Sequence, residues 1–81
     1  MRPLSQLKPG EKALIIDVSN RLVARKLSRE GLSPGDIVTV KENDPQSQTL
    51  LIDVNNSTYR LFTPIADTIF IHKINIPLCF N

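Results

Sequence analysis

A mainly β fold, a small and strongly bent barrel of about five short strands with one inserted helix, is what this sequence predicts. Three observations point there. The second half is a series of short apolar runs rich in β-branched residues, "DIVTVKEN", "TLLIDV", "TYRLF" and "TIFIHK", separated by turn-forming residues. Only one stretch, "SNRLVARKLSREG", repeats its apolar residues at helical spacing. At 81 residues the core is thin, and an open sheet would leave two long unpaired edges, so closure is the better solution.

The elements follow in order. "LKPGEKALIIDV" opens with Pro9-Gly10, a turn feeding a strand from Lys12 to Val18. There Leu14, Ile16 and Val18 alternate with Ala13, Ile15 and Asp17, giving one buried face and one partly buried. Ser19 or Asn20 caps the helix that follows. At about 100° per residue, Val23 and Leu27 share one side, and Arg21, Arg25 and Arg29 lie on the other. Lys26 and Glu30, four apart, are spaced to pair.

Gly31 then stops the helix in a left-handed conformation, which places Leu32 against Leu27, and Pro34 keeps the helix from resuming. Pro34-Gly35 turns the chain into "DIVTV". This phrase resembles "LKPGEKALIIDV", but the segments that follow differ, so the two are not read as an internal repeat. "DPQSQ" and "NNS" connect the next strands. Thr63-Pro64 starts one short helical or 3₁₀ turn through Ala66, before "TIFIHK" supplies the last strand.

Composition bounds the function. The chain is 41% hydrophobic and 22% charged, ordinary for a globular domain, and aromatics are limited to Tyr59, Phe62, Phe70 and Phe80. Its net charge of +2 is mild for a nucleic-acid binder, and single-strand binding needs more stacking platforms than these. One cysteine, Cys79, makes no internal disulfide and fits a reducing compartment. The N-terminus has no apolar signal region, and no apolar run approaches the ~20 residues of a membrane span. A cytoplasmic protein is expected.

Leu27, Gly31, Leu32, Pro34 and Gly35 form the pattern Leu-x-x-x-Gly-Leu-x-Pro-Gly, with Leu7-x-Pro9-Gly10 upstream and Ala66-x-x-Ile69-x-Ile71 downstream. In this order the three motifs resemble the FeoA family, small cytoplasmic SH3-like barrels that accompany the bacterial ferrous-iron transporter FeoB. The resemblance runs from Leu4 to about Lys73, which divides the chain into a barrel domain over residues 1–73 and an apolar tail, "INIPLCFN", over 74–81. Glu30 departs from the pattern, standing where an apolar residue is usual. The resemblance implies a non-enzymatic accessory protein whose partner is FeoB or its cytoplasmic GTP-binding part. The same domain type resembles the C-terminal module of diphtheria-toxin-repressor-type regulators, which implies, as the alternative, a transition-metal-binding or metal-responsive module.

Candidate sites are few. Cys79 and His72 are the only nucleophile and base that could pair, and a cysteine in an apolar tail reads as a small hydrophobe. No glycine-rich phosphate loop is present, so no catalytic residue is assigned. Ferrous iron takes His and carboxylate ligands, but His72 has only Asp67 near it in sequence. No intrachain metal site and no cofactor are expected, while a site shared between molecules through His72 and the tail stays open. The arginine stripe of Arg21, Arg25 and Arg29 is the candidate partner-binding face, against the plainer reading of a solvated helix side. The tail, with Pro77 marking an edge position, is spaced to pair along a sheet edge of its own barrel, of a second copy or of a partner, with self-association expected ahead of packing on its own barrel.

Overall fold

Two turns built on the same Pro-Gly pair with an acid after it frame the molecule, whose structure, a computed structural model, describes residues 1–74. In Lys8-Pro9-Gly10-Glu11 the Glu11 N–H donates to the Lys8 carbonyl at 3.0 Å, and the Glu11 carboxylate accepts from the Lys8 N–H at 2.8 Å. In Ser33-Pro34-Gly35-Asp36 the Asp36 N–H donates to Ser33 at 3.1 Å, and the Asp36 carboxylate accepts from the Ser33 N–H at 2.9 Å. The glycines sit at φ 89° and 99°, as type II turns require. Each turn starts a strand: β2 (Lys12–Val18) after the first, β3 (Ile37–Asp44) after the second.

These strands pair antiparallel with Ala13 opposite Val38, and each turn closes on the middle of the other's strand. Gly10 donates to Val40 at 2.8 Å, and Gly35 to Ile15 at 2.9 Å. Burial repeats position by position along Lys12–Val18 and Ile37–Asn43, and a register shift falls after Ile15 in one and after Val40 in the other. The two phrases are thus halves of a local two-fold. The resemblance between them is structural, although the segments that follow, a helix and a hairpin, do differ.

The register shift changes which side of β2 is buried. Ala13 and Ile15 face the core, while Ile16 and Asp17 both point outward and Val18 turns back in. A bulge adds one residue to a strand and resets its alternation, so the simple period-two face through Leu14, Ile16 and Val18 does not hold. Ile16 shares the outward side with Leu14 and is exposed, and it is Val18 that the bulge returns toward the core.

Between the two halves runs α1 (Arg21–Arg29). Asn20 caps it, its side chain accepting from the Leu22 and Val23 N–H groups. At the other end Gly31 has φ 92°, its N–H donates to Ser28, and the Leu32 N–H reaches back to Leu27 at 2.9 Å. That is a Schellman stop, and Leu27 and Leu32, the pair whose apolar contact accompanies it, are both buried in the one core cluster.

β4 (Thr49–Val54) and β5 (Ser57–Phe62) form a hairpin through Asn55 and Asn56, both at positive φ as a type I′ turn requires. Next comes α2 (Thr63–Ala66) and then β6 (Ile69–Ile74). A short β1 (Arg2–Pro3) pairs with β6 and leads into a 3₁₀ turn, Leu4–Gln6. The sheet order is β1-β6-β2-β3-β4-β5. Among the described residues six strands rather than about five are present, because two N-terminal residues find the β6 edge. The late turn is one turn of α-helix, with Pro64 in its first turn.

Hydrogen-bonded pairing does not join β1 to β5; α2 packs against β5, β4 and the 3₁₀ turn between those ends. Asn43 fastens the same region, donating to the carbonyls of Ser5 and Leu7 at 3.1 and 2.9 Å. The core is aliphatic: Leu4, Leu7, Leu32, Leu50, Ile52, Ile69 and Ile71 are its largest fully buried members, with Ile15 and three valines. The tail's residues 75–81, Cys79 among them, lie outside the described residues, as does its expected self-association.

Candidate partner-binding surface

The outer side of α1 is built from cations. Its nine residues, Arg-Leu-Val-Ala-Arg-Lys-Leu-Ser-Arg, include four basic side chains and no acid. Because Leu27 is drawn into the core and Val23 packs against it, the helical period turns Arg21, Arg25 and Arg29 to solvent, and all three are exposed. Among the described residues the ion pairs are Lys41 with Asp53 and Lys73 with Glu11, so none involves this helix. The expected Lys26–Glu30 pair does not form. Glu30 is the C-cap residue with φ −91° and ψ 3°, already outside the helix, and a lysine preceding its glutamate is the weaker order.

Beside this face runs a groove that the sequence reading missed. Its floor is Val23 and Leu27 from α1, Leu61 from β5 and Ile65 from α2; Phe62, Lys26, Glu30 and Arg60 rim it. It encloses about 220 Å³. Phe62 stands 66% exposed and Leu22, one turn before Lys26, 76% exposed. Tyr59 fixes the groove's far end, its hydroxyl donating to the Glu30 carbonyl at 2.6 Å. A signal was available: alternation along "TYRLF" puts Leu61 inward and therefore Phe62 outward.

The other candidates are not brought together. His72 is exposed on β6 opposite Leu14, and Asp67, the C-cap of α2, accepts a hydrogen bond from the Ser5 hydroxyl. Among the described residues no three His, Cys, Asp or Glu side chains gather to hold a metal ion. No described helix is long and apolar enough to cross a membrane.

The family model described as FeoA domain matches residues 2–73. The chain belongs to the FeoA family. Among solved structures, this FeoA protein is similar to a crystallised iron uptake regulatory protein, FeoA, with a TM-score of 0.78 and 24% identity over 90% of this chain and 96% of that one. It is similar to the FeoA protein of Chlorobium tepidum, with a TM-score of 0.81 and 26% identity over 90% and 70% of the two chains. It is also similar to ScaR with bound Zn²⁺, with a TM-score of 0.81 and 25% identity over 91% of this chain but only 37% of that one. No curated protein matches it by sequence. The SH3-like fold is therefore the one FeoA proteins share with part of zinc-bound ScaR.

Proposed function

We propose that this FeoA protein is a non-enzymatic accessory component of ferrous-iron transport that acts in the cytoplasm by binding a FeoB-type transporter, or its GTP-binding part, through the cationic side of α1. The family match over residues 2–73 carries the transport assignment. The helix supports the choice of surface: Arg21, Arg25 and Arg29 are exposed, and no described acid is paired with them. A cation cluster left without internal partners costs self-repulsion in the isolated domain and is relieved by an acidic surface, which speeds encounter and sets orientation. Isothermal titration of the transporter's soluble cytoplasmic part into the full chain tests the reading; saturable binding is expected, and a flat titration overturns it.

A second reading, a metal-responsive regulatory module, has one observation in its favour, the likeness to ScaR with bound Zn²⁺. Soft or borderline divalent ions need convergent His, Cys or carboxylate donors, and the described residues do not gather three. Titration with Zn²⁺ and, anaerobically, Fe²⁺ separates the two readings: a stoichiometric site tighter than about 1 μM favours the second.

A further inference from the structure

We infer that the groove between α1 and β5 receives an acidic, amphipathic segment of a partner protein that inserts one large apolar side chain beside Phe62. The inference rests on the partner-binding reading above and names the chemistry of the segment bound. Size comes first. At about 220 Å³ the groove is smaller than the roughly 300–1,000 Å³ typical of small-molecule pockets, and it has room for one large side chain.

The apolar side chains agree with an anchor. Leu27 and Leu61 at the floor are 4% and 7% exposed, held rigid by the core. Phe62, which lines it, and Leu22, the residue before Val23 on α1, are by contrast largely exposed, two large side chains left uncovered among the described residues. Aromatic residues next to a preformed pocket are where binding energy concentrates at interfaces.

Charge then selects the occupant. Lys26 and Arg60 rim the groove, and among the described residues Glu30 is the one acid lining it, while Arg21, Arg25 and Arg29 lie on the opposite, solvent-facing side of α1. None of these cations is ion-paired among the described residues. A second copy docking the same face symmetrically would oppose cation to cation, which disfavours that occupant. An apolar anchor flanked by glutamates or aspartates meets both the floor and the rim.

The test uses the full chain, labelled with ¹⁵N, and three synthetic peptides: leucines at helical spacing among glutamates, the same with lysines for glutamates, and the same with alanines for leucines. Saturable amide shifts at Val23, Leu27, Arg60 and Phe62 are expected with the first alone. Phe62→Ala should weaken that binding at least about tenfold, and Glu30→Gln should strengthen it about twofold to fivefold. Equal shifts from all three peptides, shifts elsewhere, stronger binding of an oligothymidylate at the same residues, or a dimer in sedimentation that Phe62→Ala dissociates would each overturn the inference. The transporter's soluble part separates this inference from its parent. Binding undiminished by Phe62→Ala overturns the groove and leaves the transporter reading standing. Peptide binding in the groove without transporter binding supports the groove and overturns that reading.

Discussion

The hydroxyl of Tyr59 donates to the carbonyl of Glu30 at 2.6 Å, tying β5 to the C-cap of α1. Carbonyls at a helix end have no partner within the helix, and this one is satisfied by a side chain from across the groove. One bond therefore stabilises the helix stop and sets the groove's end. Tyr59→Phe should lower stability by about 0.5–1.5 kcal/mol, read as a drop in Tm of several degrees. A Tm unchanged by Tyr59→Phe would show that the bond contributes nothing net.

Gly31→Ala tests the helix stop from the backbone side. Gly31 has φ 92°, where a side chain is strained, and an added Cβ would lie 3.4 Å from the Tyr59 hydroxyl. A loss of about 1 kcal/mol or more is expected in denaturant unfolding, with the slope unchanged. Wild-type stability would exclude the strain.

Leu27 and Leu22, on the same helix, should respond oppositely. Leu27 is 4% exposed, and Leu27→Ala should cost about 2–5 kcal/mol. Leu22 is 76% exposed, and Leu22→Ala should change stability by no more than about 0.5 kcal/mol. Equal losses would mean that α1 packs with a different face.

Acid should weaken the fold through its turns. Glu11 is held below the usual carboxylate range by its hydrogen bond to Lys73 and by the Lys8 N–H, and Asp44 by the Ser47 hydroxyl and N–H. A carboxylate depressed in the folded state stabilises it above the unfolded pKa, and that contribution is lost as pH falls through the folded value. Thermal melts should show declining Tm below about pH 4, and Glu11→Gln should flatten that decline while lowering Tm near pH 7. An identical pH profile for the variant would rule out the Glu11 contribution.

Much of the fold was legible because local chemistry and tertiary structure agree. Gly31, Leu32 and Pro34 predict a helix stop from backbone preference alone, and the core cluster holds both Leu27 and Leu32, the pair they imply. Asn55-Asn56 likewise announces its own turn. The bulge after Ile15 was not legible, since it depends on β6 pairing across a distance in sequence that no local pattern records. β1 escaped for the same reason, two residues ordered only by the β6 edge. Of the candidate surface, the cations of α1 could be read from helical period. The groove could not be completed, because its second wall comes from β5 and α2, more than thirty positions along the chain from Val23.

The most direct test is the affinity of the full chain for the transporter's soluble cytoplasmic part, measured at low and high salt with and without Arg25→Glu and Arg29→Glu together. Both side chains are exposed, so each change should alter stability by no more than about 0.5 kcal/mol. The account predicts binding at low salt that the double reversal weakens, with the difference shrinking as salt rises and exposed charges are screened beyond ~10 Å at 0.1 M. Undiminished binding by the folded double variant at low salt would contradict it.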